Sequence, residues 1–356
     1  MRVIIAGGGT GGHIFPAISI AEEIRRRDPA NEILFIGTKS GFEVDRIRKE
    51  GYNLKFISSG GIVSMGFVRS LKGVLSAIKG IFDSCKIIME FKPNVVIGVG
   101  GYVSGPVVLA AFLLFTRSVI CEQNAVPGLT NRILARLVKR VFATFQMSTR
   151  YLPHGKTIVV GNPVRPEFLT VNRSYKKHKG IKIVVLGGSQ GAHKLNVSVP
   201  KAVGLLGRND LSVVHQTGER DIEDVKKTYE WYGIKAEVLP FIDDIANVYS
   251  EADLVIGRSG AGTISEVTLL GKPSILIPYP FSANNHQLEN ARVLESAGAA
   301  VVIEDRFALP ENIARAISDL LNNNKLDDMM VRCRNLAKPN AAKDIVDEID
   351  RIVEVG

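Results

Sequence analysis

A chain of 356 residues exceeds what one hydrophobic core usually holds, so two domains are expected. With 46% hydrophobic and 23% charged residues it is not a disordered chain, and three scattered cysteines (Cys85, Cys121, Cys333) exclude a disulfide scaffold or a CxxC metal site. The net charge of +9 is uneven: 21 Lys/Arg against 10 Asp/Glu in residues 1–162, but 24 against 26 in 163–356, directs the first half towards an anionic surface, nucleic acid or lipid.

Short Val/Ile-rich runs alternate with helical periodicity along the chain. In the first half, strands are expected over 2–6, 32–36, 54–57, 94–99, 119–122 and 140–144, with helices such as 16–27 and 129–138 between them. No basic n-region precedes an apolar h-region, so no signal peptide is expected. The uncharged stretch 93–116 has the length of a membrane span. "GGYVSGP" (Gly100 to Pro106) interrupts it, and strand, glycine-rich loop and short helix fit better. The stretch 160–166, with Gly161, Pro163 and Pro166, marks a junction, placing a first domain at 1–162 and a second at 163–340. In the second half, strands are expected over 182–186, 212–216, 237–239, 253–256, 274–277 and 300–303, with helices such as 263–270 and 286–297. A last amphipathic helix, about 341–356, could return to the first domain. Alternation of this kind implies parallel sheets covered by helices on both faces: an α/β protein of two doubly wound, Rossmann-like domains.

One loop occurs twice. "GGGTGGH" (Gly7 to His13) follows the first strand, and "GGSQGAH" (Gly187 to His193) follows the first strand of the second half. Glycines between a buried strand and a helix let the backbone approach a phosphate, and the helix start offers N–H groups and positive dipole. The first loop matches the dinucleotide pattern GxGxxG, a weak signal by itself. No acidic residue follows the 32–36 strand to take a ribose hydroxyl, which disfavours nicotinamide or flavin binding. Neither loop continues into Lys-Ser/Thr, which disfavours a Walker ATPase. Two domains with a ligand-facing loop each suggest a site in a cleft between them, the GT-B glycosyltransferase arrangement.

"GGTGGH" (Gly8 to His13), "GGYVSGP", "EQNAVPG" (Glu122 to Gly128), "GNPVR" (Gly161 to Arg165), "GGSQGA" (Gly187 to Ala192), "RSGAGTISE" (Arg258 to Glu266) and "HQLENA" (His286 to Ala291) resemble, in order, the motifs of the MurG family. The resemblance implies an inverting hexosyltransferase that moves N-acetylglucosamine from UDP-GlcNAc to the muramoyl 4-hydroxyl of undecaprenyl-diphospho-MurNAc-pentapeptide (lipid I), forming lipid II in peptidoglycan biosynthesis. It implies UDP-GlcNAc and lipid I as partners and a peripheral location on the cytoplasmic face of the cell membrane. No cofactor is expected. Oligomeric state stays open.

The resemblance also assigns residues. Thr10, Gly11, Gly12, Asn124, Arg165, Ile242 and Gln287 correspond to sugar-nucleotide contacts, Ile242 through its backbone; His286 is a weaker candidate than Gln287. Ser189 stands where a helix start could hold the diphosphate, or simply caps that helix. Glu266 could accept both ribose hydroxyls, or complement a helix dipole. His13, with an imidazole pKa ordinarily near 6.5, is the candidate general base, and Glu122 is its rival. His193, at the same place in the second loop, shows that a histidine there can be architectural. No Asp-x-Asp occurs, so a metal clamp is not indicated; helix dipoles, backbone N–H groups and Arg258 would stabilise departing UDP.

Apolar residues among cations in the first half (Ile62 to Val68, then Leu71, Leu75, Ile78, Ile81 and Phe82 beside Arg69, Lys72, Lys79 and Lys86; Ala110 to Phe115 beside Arg117; Arg132, Arg136, Lys139 and Arg140) suit docking on an anionic membrane surface. The same pattern also describes a buried helix with a charged edge. Nucleic acid is disfavoured, since no aromatic interleaving or recognition motif is present. The alternatives are another GT-B UDP-sugar enzyme, such as an epimerase, and a nucleotide-dependent oxidoreductase.

Overall fold

In a computed structural model the described residues are 1–8, 11–39, 42–58, 67–171, 180–188, 191–322 and 325–354, with backbone alone for 11, 42, 43, 45 and 67–75. The chain divides into two compact units, Met1–Arg165 with Pro339–Gly356, and Pro166–Lys338.

The first unit is a seven-stranded sheet in the order β3-β2-β1-β4-β5-β6-β7. Its strands are β1 (Arg2–Gly7), β2 (Glu32–Gly37), β3 (Asn53–Phe56), β4 (Val95–Gly100), β5 (Ser118–Glu122), β6 (Arg140–Ala143) and β7 (Thr157–Val159). Every recorded pairing is parallel. The period of two explains why these strands read as unbroken apolar runs. Val3 and Ile5 point into one core with Ile14, Ala17 and Ile24 of α1 (Gly11–Arg27), while Ile4 and Ala6 point into another with Ile87 and Ile88 of α3 (Phe67–Phe91) and Val103 and Val107 of α4 (Gly101–Leu113). Two shorter helices, α2 (Phe42–Lys49) and α5 (Leu129–Leu134), complete this part.

The second unit repeats the plan with six strands in the order β10-β9-β8-β11-β12-β13. These are β8 (Ile181–Leu186), β9 (Leu211–Gln216), β10 (Lys235–Leu239), β11 (Leu254–Gly257), β12 (Ser274–Leu276) and β13 (Ala300–Val302), again all parallel. Its helices are α6 (Pro166–Thr170), α7 (His193–Leu205), α8 (Ile222–Trp231), α9 (Ile245–Ser250), α10 (Ala261–Leu270), α11 (His286–Ser296), α12 (Pro310–Asn322) and α13 (Lys325–Asn335).

The last helix, α14 (Ala341–Glu354), belongs to the first unit. Ile345, Val346 and Ile349 are fully buried in the core that β1 and α1 share, each contributing on the order of 2 kcal/mol. Arg27 of α1 meets Asp347 at 2.6 Å and Asp350 at 2.7 Å, and Arg140 meets Glu348 at 2.6 Å, so one register satisfies both charge and burial.

Several elements differ from the sequence pattern. The short strand β7 has no clear periodic signal, and α1 begins at Gly11 instead of residue 16, which brings Gly12 and His13 into its first turn. α5 stops at Leu134 instead of 138. "GGYVSGP" is not a loop: α4 starts at Gly101 and carries Pro106 inside it. A proline there forgoes one backbone bond, which burial of Val103, Val107 and Val108 outweighs. The stretch 93–116 is therefore strand and helix. Among the described residues no helix is long and apolar enough to cross a membrane.

Candidate active site

In both units the sheet order reverses beside the first strand, between β1 and β4 and between β8 and β11. At such a switch point the outgoing loops diverge and leave a crevice at the carboxyl ends of the strands. The glycine loops leave from β1 and β8, so each sits at its unit's crevice.

In the first unit, Gly100 ends β4 with φ 111°, a conformation glycine tolerates. A Cβ there would lie 2.6 Å from Nδ1 of His13 and 3.3 Å from Oε1 of Gln123, so the missing side chain is what lets the half-buried imidazole pack against the strand end. Ser104 receives the Gly100 N–H and donates to the Ala6 carbonyl, both at 2.8 Å, which ties the two strand ends together. Gln123 donates to the Val99 carbonyl at 2.7 Å. His13 thus stands in the first turn of α1, at the positive end of its dipole, with Gln123 also beside the Gly100 position.

Glu122 is 2% exposed. Its Oε1 accepts the Asn124 N–H at 2.9 Å and Nδ2 at 3.4 Å; its Oε2 accepts Asn131 Nδ2 at 2.8 Å and the Gly128 N–H at 3.2 Å. Burial pushes this carboxyl up, against the pull of those donors. With donors on both oxygens, the group braces the loop over residues 122–131. Asn124 is part of the same brace. Arg165, at the end of the first unit, stacks over Phe15 of α1 at 4.5 Å. Thr10 and Ser189 lie outside the described residues. Gly11 and Gly12 open α1.

In the second unit the glycine loop approaches its neighbour closely. Gly191 has φ 74°, and a Cβ there would fall 1.8 Å from the Thr217 carbonyl oxygen. His193 pairs with Asp221 at 3.0 Å, an architectural use of the second loop's histidine. Ile242 is 5% exposed and donates its N–H to Gln216 Oε1 at 2.9 Å. Glu266 stands half-buried on α10, which opens at Gly260. Gln287, at the second position of α11, accepts the Tyr279 N–H on Oε1 at 2.9 Å, while its own carbonyl accepts Ser259 Oγ at 2.7 Å. His286 turns Nδ1 onto the Ala283 carbonyl at 2.8 Å.

Arg258 has a partner within its own unit: its Nη1 lies 2.6 Å from Asp305 Oδ1 and donates to the carbonyls of Ile277 and Pro278. Sequence reasoning also missed Gln216 and Asn131; a polar amide at a strand end or in a short helix carries no periodic signal. Among the described residues no cluster of His, Cys, Asp or Glu is arranged to hold a metal ion.

Two doubly wound parallel units, each with a glycine loop leaving its first strand at the switch point, make up the GT-B fold. Residues 3–143 match the family model described as the glycosyltransferase family 28 N-terminal domain, and residues 182–349 match its C-terminal domain. A protein of Syntrophus aciditrophicus (strain SB) is 45% identical over 351 residues, 98% of this chain and 97% of that one. One of Geotalea uraniireducens (strain Rf4) is 42% identical over 358 residues, 99% and 98%. Both are named UDP-N-acetylglucosamine--N-acetylmuramyl-(pentapeptide) pyrophosphoryl-undecaprenol N-acetylglucosamine transferase. The crystal structure of Acinetobacter baumannii MurG superposes with a TM-score of 0.82 at 31% identity, covering 98% of this chain and 99% of that one. The chain belongs to the MurG family of glycosyltransferases, within family 28.

Proposed function

We infer that this protein transfers N-acetylglucosamine from UDP-GlcNAc to the 4-hydroxyl of the muramoyl sugar of lipid I, forming lipid II with inversion at the anomeric carbon. Likeness over nearly the whole length to transferases of that name carries this reading. In the reaction the acceptor oxygen attacks the anomeric carbon, the bond to the β-phosphate breaks, and UDP departs with the electron pair. The acceptor proton passes to a base.

His13 is the base in this reading. Its support is geometric: an imidazole held in a helix's first turn at the first unit's switch point and packed against Gly100 at the end of β4, whereas the rival Glu122 already accepts donors on both oxygens. The second unit binds the donor. The glycine loop and α7 meet the diphosphate, and Glu266 takes the ribose hydroxyls. Because the Ile242 N–H is engaged by Gln216, its carbonyl is the group that accepts from the uracil N3–H. Gln287 has its oxygen on Tyr279, so it reads a donor-sugar hydroxyl through Nε2.

The first unit docks on the cytoplasmic face of the membrane. α4 adjoins both α3 and α5; Phe82 (71% exposed) on α3, Phe115 (97%) just past the end of α4 and Leu129 (71%) on α5 stand close in sequence to Lys86, Arg117 and Arg132. Apolar side chains beside cations suit anionic lipid, where the acceptor's lipid tail resides. Of the stretch from Ile62 to Val68 that was expected to contribute, residues 62–66 lie outside the described residues, and 67–75, with Arg69, Leu71, Lys72 and Leu75, are described by backbone alone.

Incubation of the purified protein with UDP-GlcNAc and lipid I, followed by mass spectrometry, tests the whole reading. One added N-acetylhexosamine on lipid I is expected. Release of a free epimerised sugar nucleotide, or no transfer, would overturn it.

A further inference from the structure

The carboxyl end of β9 holds an amide that none of the roles above uses. Gln216 is the last residue of β9 and 6% exposed, between β8 on one side and β10 on the other. Its Nε2 donates to the carbonyl of Gly188 at 2.9 Å, and its Oε1 accepts the N–H of Ile242 at 2.9 Å. Gly188 leaves β8 in the glycine loop, and Ile242 lies in the connection that follows β10. One neutral side chain therefore joins two loops from different strands with one hydrogen bond of each polarity. A carboxylate offers acceptors alone, a lysine donors alone, and asparagine is one methylene shorter.

The surrounding bonds make this bridge a fixed spacer. Thr217 N–H donates to the Leu239 carbonyl and Gly218 N–H to the Pro240 carbonyl, both at 3.0 Å, which carries the strand pairing on towards Ile242. Asn196 of α7 donates through Nδ2 to the Thr217 carbonyl at 2.9 Å and accepts from His215 Nε2 on Oδ1 at 3.1 Å, so the preceding residue is held as well. Gly188 and Ile242 are thereby both referenced to Gln216, whose chain neighbours are themselves held.

We propose that Gln216 is a positioning residue for the donor nucleotide: without touching UDP, it sets the spacing between the glycine loop that meets the diphosphate and the Ile242 carbonyl that meets the base. The proposal rests on the donor reading given above. Its consequence is that Gln216 governs donor affinity and leaves acceptor recognition alone.

The test uses Gln216→Glu and Gln216→Leu in the full-length protein, with UDP binding followed by calorimetry from pH 8 to pH 5.5 and each value divided by that of the wild type at the same pH. A glutamate is isosteric. Ionised, it keeps the bond from Ile242 but faces the Gly188 carbonyl with a charge; protonated, it restores a donor. At pH 8 Gln216→Glu is expected to bind UDP about tenfold more weakly, and the deficit should shrink to about threefold or less as the pH falls, whereas Gln216→Leu should show a deficit that pH does not relieve. In steady state Gln216→Glu should raise the KM for UDP-GlcNAc, with kcat and the acceptor KM within about twofold of wild type. A merely structural role would not confine the deficit to the donor: it would change kcat or the acceptor KM as well. UDP affinity of Gln216→Glu within twofold of wild type at pH 8, or a deficit as insensitive to pH as that of leucine, overturns the proposal. Failure of the wild type itself to bind UDP overturns the donor reading instead.

Discussion

His13 and Gly100 depend on each other: a side chain at residue 100 would occupy the space of the imidazole, so the strand end and the helix start must be matched. At this scale the difference between a reactive and a bracing group is what already surrounds it. Glu122 meets donors on both oxygens, and Arg258 meets Asp305 and two carbonyls, all within their own units. His13→Ala is therefore expected to lower kcat about 100-fold or more while UDP affinity stays within about twofold. Lipid II formation and calorimetry would measure the two; near-normal turnover would remove His13 from the base role.

At the scale of elements, α14 and β9 show how packing sets stability. Ile349 is fully buried, and Ile349→Ala should cost about 2–5 kcal/mol, read as a lower urea midpoint. A loss under 1 kcal/mol would mean that α14 is only lightly attached. His215 of β9 is fully buried between Tyr229 and Asn196, and burial depresses its pKa to about 3. The unfolded chain titrates this group near 6.5, so below that pH it takes up a proton the folded protein refuses. Its contribution is fully present above about pH 6.5 and is lost as the pH falls towards 3, at up to about 1.4 kcal/mol per pH unit. Denaturation midpoints between pH 7 and pH 5 should fall in the wild type and fall less in His215→Gln; equal slopes would show that His215 is not the group titrating.

The scale of the whole molecule is that of charge and surface. The positive charge gathers in the first half, and Phe82 and Phe115 stand exposed in the same unit. Co-sedimentation with anionic phosphatidylglycerol vesicles should weaken as salt rises, since exposed charges are screened over about 10 Å at 0.1 M. The double variant Phe82→Glu, Phe115→Glu should bind vesicles at least about tenfold less, with UDP affinity unchanged. Binding insensitive to both changes would place the lipid contact elsewhere.

Much of this was legible in the linear chain. Apolar runs bounded by glycines locate most strands of both sheets, because buried parallel strands need both faces apolar, and the doubled glycine loop marks the two switch points. The order of seven motifs carries the family, and composition alone excludes a disulfide scaffold. Hydrogen-bond partners were not legible. That Glu122 meets Asn131, that Arg258 meets Asp305 and that Gln216 joins Gly188 to Ile242 depend on residues that only the fold brings together. The same holds for α14, whose apolar stripe says that it must be covered but not by what. Local sequence sets which face of an element avoids water; the identity of what lies against that face is a long-range property, and here it decides which side chains remain able to do chemistry.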